Sequence, residues 1–110
     1  MNYEYIEIEK DMIPYEFEIE LEEELFTFDV RYNESYDFFT VDLYKDDELV
    51  VAGEKVVYGI PLFESTYNPK THPVVTIVPL DPSNIETRVS WDNLNETVFL
   101  CIMNGSDEDE

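Results

Sequence analysis

The sequence predicts an all-β protein: a small antiparallel β-barrel or sandwich-like single domain with a long Pro-bracketed loop. Apolar and acidic residues alternate with period two along several segments. Turn-forming residues punctuate them at short intervals, as in small barrels and sandwiches. No stretch of about 12 residues carries the helical period, so an α/β layout is not expected.

The clearest alternation opens the main sheet. Tyr15, Phe17, Ile19 and Leu21 are separated by Glu16, Glu18 and Glu20, giving one apolar and one acidic face. Phe26, Phe28, Val30 and Tyr32 repeat the pattern around Thr27, Asp29 and Arg31. If both apolar faces meet one core, a turn over Glu22 to Leu25 sets Leu21 opposite Phe26, Ile19 opposite Phe28, Phe17 opposite Val30 and Tyr15 opposite Tyr32. Glu16 then faces Arg31, and Glu18 faces Asp29.

Other strands are expected at Tyr5 to Glu9 and at Phe38 to Tyr44, the latter closed by the polar turn Lys45-Asp46-Asp47-Glu48. Leu49 to Ala52 and Lys55 to Tyr58 follow, with Gly53 as a bulge or tight turn between them. Val74 to Leu80, Glu86 to Ser90 and Thr97 to Met103 complete the set, the last as a central strand. Asp81-Pro82-Ser83-Asn84 reads as a turn, and Asp92 to Asn95 as one helical turn after Trp91. Pro61, Pro69 and Pro73 bracket Leu62 to His72, which lacks a period and reads as an ordered surface loop where function would sit. The domain is expected over residues 1-103, with residues 104-110 a flexible acidic tail that frays.

A chain of 110 residues supports one modest core. Seven Phe, eight Tyr and one Trp supply it, which separates this sequence from disordered acidic chains. The 27 Asp and Glu against 6 Lys and Arg give a net charge of -21. Such a surface repels phosphate backbones and anionic headgroups, so neither direct nucleic-acid binding nor membrane docking is expected. A solvated acidic surface is the ordinary reading. A face built for a basic partner, or one imitating DNA, is the sharper one.

Chemistry is sparse. Cys101 is single and lies within Val98-Phe99-Leu100-Cys101-Ile102, so it reads as a buried thiol. His72 is the only histidine and builds neither a metal cluster nor a nucleophilic triad; between Thr71 and Pro73 it reads as an exposed loop residue. Asp37 and Asp92 border aromatics, yet fit turn or capping roles best. Asp46-Asp47-Glu48 and Asp107 to Glu110 lack the spaced ligands and central Gly of a calcium loop. No signal peptide or transmembrane stretch is expected, and the motifs starting at Asn33, Asn95 and Asn104 read as chance glycosylation matches. No cofactor, metal or enzymatic activity is expected.

Several segments together resemble the small baseplate plug family of tailed bacteriophages and prophages. They are Ile13-Pro14-Tyr15-Glu16-Phe17, Phe28-Asp29-Val30-Arg31-Tyr32-Asn33, Asp37-Phe38-Phe39 with Val41-Asp42-Leu43-Tyr44, Gly53-Glu54-Lys55-Val56-Val57-Tyr58-Gly59 with Leu62, Ile77-Val78-Pro79-Leu80-Asp81, and Asn93-Leu94 with Val98-Phe99-Leu100. The likeness runs in order through residues 5 to 102. It departs at Asn95, where Gly is common, and in the acidic tail.

The resemblance implies a virion structural protein of the tail baseplate, assembled from the host cytoplasm and contacting baseplate hub, tail tube or spike proteins, with homo-oligomers open. The contact residues expected are Tyr58, Phe63, Tyr67 and His72, in and beside the long loop. One rival is an acidic DNA-mimic inhibitor of a basic host protein. Another is a carbohydrate-binding β domain using Trp91.

Overall fold

Among the described residues, seven strands form two antiparallel sheets around one apolar core. The computed structural model describes residues 4–64, 68 and 70–103. The larger sheet has the order β2-β3-β4-β5, from strands Tyr15–Leu21, Glu24–Asn33, Phe38–Lys45 and Glu48–Lys55. The smaller has the order β1-β7-β6, from Glu4–Ile6, Phe99–Met103 and Thr76–Leu80. The sheets remain separate, so the architecture is sandwich-like and not a closed barrel.

The period-two segments become the larger sheet because alternate side chains leave opposite faces of a strand. Phe26, Phe28 and Val30 of β3 and Phe39, Val41 and Leu43 of β4 are all buried on one face. They meet Ile6, Ile77 and Leu100 of the smaller sheet in a common core. Full burial of each such side chain stabilises by roughly 1.5–3 kcal/mol before the entropy of ordering is subtracted. β7 is central in its sheet, as its apolar run predicts, and Cys101 is buried there.

The first hairpin keeps its predicted faces and changes its register. Phe17 pairs with Phe28, Ile19 with Phe26, Tyr15 with Val30 and Leu21 with Glu24. The slip is two residues, because the turn consists only of Glu22 and Glu23. Both are left-handed, with φ of 51° and 70°, as a two-residue type I′ turn requires. Nothing in two glutamates announces that conformation, which favours Asn and Gly. Asp46 and Asp47 make the same kind of turn between β4 and β5, with φ of 54° and 66°.

The slip replaces the expected Glu16–Arg31 pair by Glu16 opposite Asp29, with Asp42 next in the same row. Like charges directly opposite are unfavourable. The row is relieved because Arg31 Nη2 bonds Asp29 Oδ2 at 3.2 Å and the Gly53 N–H donates to Asp42 Oδ1 at 2.6 Å. That second bond forms where β5 bulges around Gly53, whose φ is 69°. Leu49 to Ala52 and Lys55 thus belong to one bulged strand. The predicted strand beyond Lys55 is not formed: Val56 N–H still donates to Phe39 O, and the chain then turns at Gly59.

Two more strand expectations are corrected. Glu86 to Ser90 is irregular. Asp81 Oδ2 accepts the Glu86 N–H and Asn93 Nδ2 donates to Arg88 O, so side chains occupy main-chain groups that a ladder would use. The strand expected over Tyr5 to Glu9 ends at Ile6, because Ile8 N–H donates to the Asn95 side chain. A short 3₁₀ helix, Lys10–Met12, follows. The turn after Trp91 forms, with Leu94 N–H donating to Ser90 O.

Candidate interaction site

The two described ends of the long loop pack against the body of the protein. Phe63 is 2% exposed and His72 3% exposed, so His72 is a core-facing residue, contrary to the sequence expectation. The reason is packing: Phe63 sets its ring edge-on to both Phe28 at 5.9 Å and His72 at 6.4 Å between centroids. Phe63 holds a left-handed φ of 64°, a conformation that costs an L-residue about 1–2 kcal/mol. Its N–H donates to Glu54 Oε2 at 2.9 Å, which pins the backbone there. Burial pushes the His72 imidazole below its ordinary value, partly offset by Glu54, so the ring is neutral at physiological pH. Thr71 Oγ1 lies 3.1 Å from His72 Nδ1, and His72 N–H donates to Asn68 O.

Tyr58 stands at the other end of the same segment. Its hydroxyl accepts the Asp81 N–H at 3.0 Å. Gly59 N–H and Leu62 N–H donate to Pro79 O and Ile77 O, laying residues 59–62 along the outer side of β6. Phe63 and His72 are therefore brought together, while Tyr58 sits apart beside Asp81. Tyr67 lies outside the described residues. Solvent meets this end of the molecule at Ile60 and at Val74, which is 61% exposed.

Asp81 organises the loop after β6. Its carboxylate accepts from Ser83 N–H and Oγ at one oxygen and from Ile85 and Glu86 N–H at the other, at 2.6–3.0 Å. These donors, led by the Ser83 hydroxyl, hold its pKa down at about 2.

A second corner, missed as a unit from the sequence, is built around Asp37. The β3–β4 turn places Asp37 in the left-handed region at φ 58°. Its Oδ1 accepts from Tyr32 Oη at 2.7 Å and Trp91 N–H at 2.9 Å, and its Oδ2 from Arg88 Nη2 at 3.1 Å. Tyr32, Phe39 and Trp91 pack together with centroids 4.8–6.0 Å apart. Lys10 Nζ lies 5.5 Å above the Trp91 ring and bonds its carbonyl. An open 730 Å³ depression lies alongside, bordered by Ile13, Arg31, Glu34 and Trp91.

Lys10, Arg31 and Arg88 are half of the chain's six cations, and the fold gathers them here from positions far apart in the sequence. The hydrogen bond to Asp37 pushes the Tyr32 hydroxyl up to about 12, and the same bond holds Asp37 below its ordinary value. Asp37 thus acts as a fixed anion that ties three chain segments, and not as a proton carrier near neutral pH. Among the described residues, no group of three or more His, Cys, Asp or Glu is placed to hold a metal ion, Asp46-Asp47-Glu48 included. Asp107 to Glu110 lie outside them. No helix of the described residues is long and apolar enough to cross a membrane.

Residues 3–106 match the sequence profile of the family described as cyanophage baseplate Pam3 plug gp18. The chain belongs to that family. No curated protein and no solved structure matches it. The match supports a structural role in a phage baseplate, and with it a location in the virion tail. It spans every strand and both corners of this plug-family domain.

Proposed function

We propose that this protein is a plug component of a phage tail baseplate that acts in tail assembly through protein–protein contacts with hub, tube or spike proteins. The observation that carries the reading is the family match over residues 3–106. The fold supports it. Glu16, Glu18, Glu20, Asp29 and Asp42 stand on the outer face of the larger sheet, and Asp37, Tyr32 and Asp81 at the two corners are committed to hydrogen bonds. The acidic rim also suits a component near passing DNA, which it repels.

Within this reading the contact face is the end bearing residues 60–74. Phe63 and His72 act as its packed supports, Tyr58 fixes its entry, and the exposed Ile60 and Val74 meet the partner, with Tyr67 proposed from the sequence as a further contact. The test is reconstitution of tails from a genome lacking this chain. Tails that stay open or incomplete until the protein is supplied are expected. Normal tails and infectivity without it overturn the reading. Replacing residues 64–70 with a Gly-Ser linker is expected to block assembly while denaturant unfolding shows the domain still folded. Unimpaired assembly removes the loop assignment alone.

A further inference from the structure

The two sheets leave four outer edges, and three are blunted by devices the structure shows. β6 is overlaid by residues 59–62 through the bonds to Ile77 O and Pro79 O. β1 has three residues among those described. β5 is broken by two register shifts and by the left-handed Gly53. β2 has none of these: its seven residues, Tyr15–Leu21, pair with β3 without a shift and contain neither Pro nor Gly. Such an edge is a template for another strand.

The turn fixes what this edge offers. Leu21 and Glu24 close a two-residue turn, so they form a hydrogen-bonded pair, and alternate residues of β2 direct their main chain to β3. The N–H and C=O groups of Glu16, Glu18 and Glu20 consequently point outward along the edge. Their side chains are exposed on the outer face. On the inner face Tyr15, Phe17 and Ile19 are only half-buried, whereas Phe26, Phe28 and Val30 one strand further in are covered. The apolar face of the sheet therefore stops one strand short. Beside the edge, the outer face carries a 500 Å³ depression bordered by Glu16, Glu18, Tyr44 and Asp47.

We propose that β2 is the docking edge for an extended partner segment in which apolar residues alternate with Lys or Arg, added as a further strand of the larger sheet. Its apolar residues cover Tyr15, Phe17 and Ile19. Its cations meet Glu16, Glu18 and Glu20, and its main chain pairs with theirs. A second copy of this chain is the wrong occupant: antiparallel β2–β2 pairing sets glutamates against glutamates on the outer face. The inference rests on the plug reading in taking that segment from a neighbouring tail protein.

The experiment uses the full chain, isotope-labelled, and a blocked heptapeptide of alternating Val and Lys. Amide exchange at Glu16, Glu18 and Glu20 is expected to slow on binding, with other acidic segments unaffected. N-methylation of alternate peptide amides, made in both phases, keeps the charge; in one phase it is expected to abolish the protection. The Glu16→Gln, Glu18→Gln, Glu20→Gln triple variant is expected to bind about tenfold more weakly, the equivalent of three modest charge pairs. Glu18→Pro removes one outward N–H and is expected to do the same; the triple variant decides if it fails to fold. Equal binding by methylated and unmethylated peptides, or binding without protection at these three amides, overturns the proposal as mere charge attraction. Pairing at β2 in a protein that tails do not need removes the plug reading and keeps the edge. A required protein whose β2 pairs with nothing does the reverse.

Discussion

Residues 15–55 and residues 56–98 face the same core but are held in place by different means. The first stretch is a four-stranded sheet whose main-chain groups pair along three antiparallel ladders, with the outward groups of β2 left at the edge. Among its described residues the second contains one strand of five residues, and outside it local main-chain turns are joined by side chains that hold several main-chain groups at once: Tyr58 and Asp81 on one side, Asp37 and Asn93 on the other. A ladder spreads its stability over many equivalent bonds, so its weak points are the large side chains beneath it. A tied loop concentrates its order in a few polar atoms, each of which bonds several partners. Among the described residues no buried side-chain nitrogen or oxygen lacks a hydrogen bond, so removing one such side chain strands several main-chain groups at once.

The largest effect is expected from Phe28→Ala. Phe28 is fully buried and touches Phe17 and Phe63, linking the edge strand, the ladder and the long loop. A loss of about 3–5 kcal/mol follows from deleting a buried ring, a large part of the stability of a small domain. Denaturant unfolding followed at Trp91 measures it. A loss well below that range means the core relaxes into the space, and the ladder is then not the rigid half.

Asn93→Ala tests the tied half. The Asn93 side chain accepts from Ser90 N–H and donates to Arg88 O and Glu86 Oε1, and it is buried. A loss of about 1–3 kcal/mol is expected from stranding these groups. Amide exchange is expected to quicken over residues 86–98 and to stay unchanged in β3. Faster exchange spread evenly over both regions contradicts the division drawn here.

Asp81→Asn sharpens the same contrast through pH. The folded Asp81 carboxyl titrates at about 2, below its ordinary value of about 3.9. A depressed carboxylate contributes stability that is complete above the ordinary value and is lost as pH falls through the folded one. Wild type is therefore expected to lose stability between about pH 4 and pH 2 on this account. The Asn variant starts less stable at neutral pH and has a shallower acid limb. Parallel acid limbs for the two proteins place the acid sensitivity elsewhere.

What was legible follows the same line. Period two reported the faces of β2, β3 and β4, because a pleated strand with one side on the core must alternate. A separate signal, an unbroken apolar run, reported the central place of β7. Period two failed wherever side chains took over the work of the ladder. Glu86 to Ser90 alternates well enough to read as a strand, and nothing local in it shows that Asp81 and Asn93 will claim its main chain. His72 looked exposed between Thr71 and Pro73, since the ring that covers it, Phe63, arrives from nine residues away. The Asp37 corner joins residues 10, 32, 37, 88 and 91, a grouping only the folded topology produces.

The two-residue slip of the first hairpin gives the smallest expected effect. Glu22 and Glu23 both occupy the left-handed region, which an L-residue enters at a cost and which Asn and Gly enter more readily. The ladder imposes this turn on the sequence: the observed register sets Phe17 opposite Phe28, with ring centroids 5.7 Å apart. Glu22→Asn with Glu23→Gly is therefore expected to stabilise the protein by about 1 kcal/mol, without moving the register. Thermal unfolding gives the stability, and cross-strand proton contacts between Phe17 and Phe28 give the register. A variant that is no more stable shows that the native turn carries no strain. A variant that repairs Phe17 with Val30 shows instead that the turn, and not the core, had been choosing the register.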